Sequence, residues 1–139
     1  MVDRDPVERW TLGRTTLAGD AAHAMYPIGS NRASQGILDA RVLVREFIAR
    51  GVGVEALEAY EGERRPATTR LVMANRGNGP DHVMTVVEER CGQFDKVSDV
   101  LSDAQLQETA ANYKKIAGMD VAGLNSRPSI VQLPKKDVA

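Results

Sequence analysis

The sequence is poor in aromatic rings and nearly free of cysteine. Aromatics make up 4% of its 139 residues, too few for a platform on which nucleic-acid bases stack. Cys91 is the single cysteine, so the chain closes no internal disulfide, which suits a reducing compartment. Neither sign of charge dominates, with 18 Lys and Arg against 19 Asp and Glu. Without a one-signed field, neither nucleic acid nor an acidic membrane is an expected partner. No apolar run nears the length of a membrane span, and the polar start Met1 to Pro6 has no apolar signal core. A cytoplasmic protein is the expectation. The length allows one modest domain with a core. The polar start leads quickly into a ligand-type loop, as though the chain began inside something larger.

What is present is concentrated between Gly19 and Asp39, which read G-D-A-A-H-A-M-Y-P-I-G-S-N-R-A-S-Q-G-I-L-D. Small residues, a carboxylate and a glycine turn stand there ahead of a helix. The first turn of a helix has unpaired N–H groups and a positive dipole end, a layout suited to a phosphate, a sugar hydroxyl or another electron-rich ligand. Before it, residues 2–13 form an irregular lead-in with Trp10 as a packing anchor. Arg14 to Ala18, with two β-branched residues, predicts a short strand, although no convincing partner strand lies nearby. Pro27 and Gly29 keep residues 19–30 in a loop.

Asn31 is expected to cap a helix running to about Arg50. Ile37, Val44, Phe47 and Ile48 lie near its core face with Leu43 beside them, and Arg41, Arg45 and Glu46 lie opposite. Gly51 and Gly53 end it. A second helix follows over Val54 to Arg76, with Leu57, Tyr60, Arg64 and Leu71 at helical spacing; Pro66 should kink or split it. Gly77 to Pro80 is a turn. A helix from about Pro80 to Arg90 buries Val83, Val86 and Val87. Cys91 to Leu101 is loop with at most one helical turn. Ser102 and Gln105 have capping-box spacing and open a helix with Leu106, Ala110, Tyr113 and Ala117 on one stripe, ended by Gly118. From Met119 the chain reads as a tail, with Lys135 to Asp137 expected to be disordered.

Each candidate for chemistry has a plain structural reading beside it. Asp20 can accept from ligand hydroxyls or cap its own loop. His23 can act as a base or metal ligand, but a hydrogen-bonded structural histidine is the better reading. A metal-dependent hydrolase using Asp20, His23 and His82 lacks the usual ligand spacing, so no metal site is expected. His82 reads as a surface residue. Ser30 and Ser34 stand outside any nucleophile elbow, and nothing flanking Cys91 argues for an activated thiol. Asp39 falls two turns into the helix and reads as exposed. Arg64-Arg65-Pro66 could hold an anion, but a solvated face with i,i+4 pairs to Glu61 is the better reading. Gly51 to Ala56 matches the dinucleotide fingerprint G-x-G-x-x-A. It follows a helix rather than a strand and has no acidic residue about twenty positions on, so it reads as a helix–helix turn.

Taken together, Gly19-Asp20-Ala21-Ala22-His23, Pro27, Gly29, Asn31 and Asp39-Ala40 resemble the second flavin-binding motif of the class A flavoprotein monooxygenases. These are the aromatic hydroxylases related to para-hydroxybenzoate hydroxylase and salicylate hydroxylase. The resemblance continues through Glu63 to Thr68, Ala74 to Arg76 and Asn125 to Pro128, where it is nearest to the salicylate-hydroxylase-like and phenazine-type members. It implies a chain that is mainly α with a short β-strand, the C-terminal portion of an α/β FAD-binding, Rossmann-like fold. The chain divides into a lead-in and strand (1–18), a flavin loop and helix (19–50), a helical packing region (51–118) and a tail (119–139).

The resemblance further implies FAD as cofactor, NAD(P)H as co-substrate, oxygen, and an aromatic small molecule as the ring to be hydroxylated. It assigns FAD contact to Gly19, Asp20, Pro27, Gly29, Ser30, Asn31, Arg32 and Ala33. Asp20 takes the ribityl chain, and the loop and helix end lie beside the isoalloxazine pyrimidine edge. Met25, Tyr26 and Pro27 border the substrate. No catalytic side chain is assigned. Arg32 departs from the pattern, standing where glycine is usual; it could neutralise an anionic flavin, but obstruction of close backbone approach is the stronger expectation. The N-terminal fingerprint is absent, so the chain is expected to be a fragment or truncated product, inactive alone, that self-associates through exposed core surface. The alternative is a non-catalytic helical interaction module that binds no flavin.

Overall fold

The computed structural model describes residues 2–27, 31–77, 82–89 and 94–131. The chain order is α1 (Asp20–His23), α2 (Asn31–Arg50), α3 (Val54–Gly77), α4 (His82–Glu89), a 3-10 turn (Val97–Asp99), α5 (Asp103–Ile116) and α6 (Val121–Ser126). Among the described residues there is no strand. The one expected over Arg14 to Ala18 is replaced by an isolated antiparallel bridge between Leu12 and Thr15. A strand exists only against a neighbour, and no described segment offers Arg14 to Ala18 one.

The frame is the pair α2 and α3. Gly51 leaves α2 with φ 81°, and its N–H returns to the Phe47 carbonyl at 2.9 Å, a glycine-favouring helix exit. Residues 51–53 then fold α3 back onto α2, so the fingerprint-like run is a helix–helix turn as its context indicated. α3 runs unbroken through Pro66, correcting the expected split. Gly62, one turn earlier, is where the proline ring crowds a carbonyl, and a glycine backbone yields most easily there. Leu57, Tyr60, Arg64 and Leu71 are all buried.

Among the described residues the core has two apolar clusters. One joins Trp10, Ala22, Val42 and Tyr60; the other joins Met25, Leu71, Val72, Tyr113 and Ala117. Trp10 is the anchor expected of it. Polar side chains occupy much of the space between. The buried face of α2 is Asn31, Gln35, Asp39, Val42 and Glu46, not the expected apolar stripe. Ile37, Val44 and Ile48 are 63%, 46% and 50% exposed, while Leu43 and Phe47 are half-buried. Helix rotation is set here by specific polar partners: leaving a buried polar group unpaired costs about 1–3 kcal/mol, comparable to exposing an aliphatic side chain.

The later elements follow the sequence in outline. Val83, Val86 and Val87 of α4 are half-buried. The Ser102–Gln105 capping box forms as expected, and Gly118, with φ 68°, follows α5. Tyr113 and Ala117 are buried, but Leu106 is half-buried and Ala110 exposed. The expected tail contains α6, whose N-cap Asp120 accepts from the Gly123 N–H. Asn31 is the first residue of α2 rather than its cap. The expectations for Gly29, Ser30, Cys91, the 78–80 turn, the His82 side chain and Lys135 to Asp137 lie outside the described residues.

Candidate functional site

The loop opening at Gly19 is shaped by a helix it does not belong to. Gly19 has φ 55° and ψ −138°, a combination reserved in practice for glycine. Its N–H donates to Asp39 Oδ2 at 2.9 Å, and its carbonyl accepts from the Ala22 and His23 N–H groups, both at 2.9 Å. The one-turn helix α1 results, within what reads from sequence as loop. No atom of the described residues lies within 4 Å of the place where a Cβ on Gly19 would stand, so that face of the backbone is open to them.

Asp39 is the hub beneath this loop, correcting its reading as an exposed residue. Its carboxylate is 1% exposed. Oδ2 also meets His23 Nε2 at 2.6 Å, and Oδ1 accepts from Arg64 Nε at 2.7 Å. Burial pushes the Asp39 pKa up. Hydrogen bonds from His23, Arg64 and the Gly19 N–H outweigh it and hold the carboxyl below its ordinary value. Arg64 also donates to Gln35 Oε1 at 2.6 Å. Arg64 is therefore a buried partner of α2, not part of a solvated face; its neighbour Arg65 does make the expected i,i+4 pair, with Glu61 at 3.1 Å. His23 is structural and hydrogen-bonded, as its residue type suggested, with Trp10 against its ring at 5.8 Å between centroids. Among the described residues no three His, Cys, Asp or Glu side chains gather as a metal set.

Asp20 points outward at the tip of the same loop. Its carboxylate is paired with Arg32, whose Nε donates to Oδ1 at 3.2 Å and whose terminal nitrogen donates to Oδ2. The two side chains are 60% and 31% exposed. Ala33 and Pro27 are exposed, Tyr26 is 41% exposed and Met25 fully buried. Asn31 is buried and donates from Nδ2 to the Tyr113 hydroxyl at 2.6 Å.

These residues fit a flavin in three respects. Asp20 presents an outward acceptor for a polyol chain. The open side of Gly19 admits close approach of a ligand to the backbone. The first turn of α2 holds no carboxylate, so the positive end of a 20-residue helix is left available to a negative edge.

A family model described as an FAD binding domain matches residues 2–75, more than half of the chain. The chain belongs to this FAD-binding family. FAD is accordingly its cofactor, and the resemblance drawn from Gly19 to Asp39 is borne out. Similar proteins include a phenazine 1,6-dicarboxylic acid hydroxylase of Lysobacter antibioticus, 60% identical over 76 residues, which is 55% of this chain and 19% of that protein. A 3-amino-4-hydroxybenzoate 2-monooxygenase of Streptomyces platensis is 44% identical over 80 residues, 57% of this chain and 20% of that protein. A 3-hydroxybenzoate 6-hydroxylase of Aquipseudomonas alcaligenes is 37% identical over 78 residues, 55% of this chain and 24% of that protein. The chain thus spans about a fifth to a quarter of the length of these curated relatives. No solved structure matches.

For this FAD-binding chain, sequence reasoning missed the inward roles of Asp39, Arg64 and Gln35. A signal was present: Asn31, Gln35 and Asp39 recur every four residues, a polar stripe as regular as an apolar one.

Proposed function

We propose that this chain supplies the flavin-contacting C-terminal part of an FAD-dependent monooxygenase that hydroxylates an aromatic ring with NAD(P)H and oxygen. The observation that carries the reading is the Gly19–Asp20 loop, fixed from below by Asp39 and open above, inside the stretch matched by the FAD-binding family. In this reading the chain belongs to an α/β, Rossmann-like fold whose ADP-binding half is held elsewhere. Bound FAD supplies the redox chemistry of ring hydroxylation.

The chain's own residues bind and orient. Asp20 holds the ribityl hydroxyls beside Gly19. Pro27, Gly29, Ser30, Asn31, Arg32 and Ala33 run past the pyrimidine edge, where the end of α2 stabilises negative charge. Tyr26 and Pro27, exposed, border the aromatic substrate with Met25 packed behind them. No side chain of this segment transfers a proton in the reaction. The segment is inactive by itself, and its exposed Ile37, Val44 and Ile48 favour self-association when nothing covers them.

Titration of FAD into the purified chain, followed by flavin fluorescence, tests the reading. Saturable binding that is lost in Asp20→Ala supports it. Binding indifferent to Asp20, or no binding by either the native chain or Arg32→Gly, removes it for this chain.

A further inference from the structure

The residues matched by the FAD-binding family end at 75, yet the end of α2 is held from beyond them. Tyr113, on α5, has its hydroxyl between two buried amides. It accepts from Asn31 Nδ2 at 2.6 Å and donates to Asn75 Oδ1 at 2.6 Å. Asn31 is the first residue of α2, and Asn75 lies in the last turn of α3. One hydroxyl thus ties together the start of one long helix and the end of the other.

The Tyr113 ring belongs to the same apolar cluster as Met25. Met25 precedes residues 26–30 and Asn31 follows them, so a single side chain serves the residues on both sides of that stretch. A weaker tie from the same region, Gln35 Nε2 to the Ala117 carbonyl at 3.4 Å, falls one turn further along α2. The Ser102–Gln105 capping box sets where α5 starts.

We infer that Tyr113 is a positioning residue for the flavin, acting through Asn31 to fix the end of α2 that faces the isoalloxazine. The inference rests on the flavin reading above and extends the site to a segment outside the family match. Tyr113 touches no cofactor; it determines where the helix end and its N–H groups stand. Loss of the hydroxyl alone should therefore loosen the site while the ring keeps its packing.

The test compares the full 139-residue chain with Tyr113→Phe, Asn31→Ala and the double variant. FAD affinity is read by flavin fluorescence, and backbone hydrogen exchange is read without FAD. Tyr113→Phe removes the bonds to Asn31 and Asn75 and is expected to weaken FAD about tenfold, the effect of the one that reaches α2. It should add little in the Asn31→Ala background, because the tie to α2 is already gone there and only the bond to Asn75 on α3 is left to lose. Exchange should quicken at residues 35–38, whose N–H groups bond to the first carbonyls of α2, and not at residues 44–50, a localisation that general loss of packing would not give. Wild-type FAD affinity in Tyr113→Phe, or full additivity of the two changes, overturns the inference. If the native chain binds no FAD, the flavin reading fails by itself. Exchange then decides the tie alone: unchanged protection at 35–38 in Tyr113→Phe overturns it as well.

Discussion

Asp39 and Arg64 form a buried ion pair across α2 and α3, with Nε and Oδ1 2.7 Å apart and neither side chain more than 8% exposed. The other carboxylate oxygen is taken by His23 and Gly19. The pair therefore joins the helical frame to the ligand loop. Removing Asp39 leaves Arg64 buried without a counter-charge, at a cost of about 3–5 kcal/mol. That is a fifth or more of the stability of a typical domain, about 5–15 kcal/mol. Asp39→Ala should lower the urea midpoint severely or prevent folding. The double variant Asp39→Leu/Arg64→Met, which removes both charges, should be markedly more stable than Asp39→Ala. Equal midpoints for the two variants would show that the pair does not organise the frame.

The same carboxylate predicts the acid limb of the stability curve. Its folded pKa lies below the ordinary 3.8 despite burial, because His23, Arg64 and Gly19 hydrogen-bond to the charged form. A lowered carboxyl pKa contributes stability that is complete above the unfolded value and drains as pH falls through the folded one. Glu61 is also lowered: burial raises it, and bonds from the Trp10 and Thr11 backbone outweigh that. Glu46 shifts the same way, with burial opposed by Arg45 and Arg50. The chain should hold its stability from neutral pH to about 4 and lose it below, as read by urea midpoints across pH. Midpoints that rise on acidification below pH 4 would contradict this.

Gly19 and Gly36 give opposite predictions for the same substitution. Gly19 has φ 55° and no described atom within 4 Å of where its Cβ would stand, so an alanine there meets no clash with them but adopts a strained backbone, costing about 1–3 kcal/mol. Gly36 lies inside α2, and among the described residues its added Cβ would reach only the Gly19 Cα at 4.0 Å, ordinary contact. Gly36→Ala should gain up to about 1 kcal/mol from helix propensity. Thermal midpoints should move in opposite directions, and a fall in both would mean that the α1–α2 contact is tighter than it stands.

The fold was legible where one helix alone decides the outcome. The extents of α2 and α3, the turn at Gly51 and the Ser102 cap are written in glycine and capping residues. The Gly19–Asp20 motif was legible through its spacing and neighbours. What escaped was set by pairs far apart in sequence. Asp39 looks solvent-facing until Arg64 and His23 are brought against it, and Arg64 looks solvent-facing until Asp39 is. Periodicity weighs Ile37, Val44 and Ile48 as core because they are apolar, but it cannot see that Asn31, Gln35 and Asp39 have buried partners. Arg14 to Ala18 failed for a related reason, since β-branched residues favour a strand only beside another strand.

The misread stripe makes its own prediction. Ile37, Val44 and Ile48 fall seven and four residues apart, on one side of α2, and all are exposed. Apolar residues left together on a helix face drive association. The native chain should show a concentration-dependent mass above its 15.1 kDa in light scattering. Ile37→Thr/Val44→Thr/Ile48→Thr should return it to monomer mass. A native chain that stays monomeric at high concentration removes the proposal.

Arg32 poses a question that magnitudes can settle. It stands at the first turn of α2 and pairs with Asp20, the residue proposed to hold the ribityl chain. Both side chains are solvent-accessible, so the pair is worth at most about 1 kcal/mol, or about fivefold in affinity. If Arg32 hinders FAD only by occupying the carboxylate, Arg32→Gly should tighten binding by no more than that, and raising the salt should tighten binding to the native chain by a similar factor. If it hinders by bulk, where a backbone must come close to the ring, salt does nothing and Arg32→Gly gains tenfold or more. The first result would make Asp20–Arg32 a screenable competitor for the ligand. The second is the expected one, because glycine is the usual residue at that place in the motif that Gly19 to Asp39 resembles. Weaker binding by Arg32→Gly would reverse both readings and make Arg32 a contributor of positive charge to the flavin's negative edge.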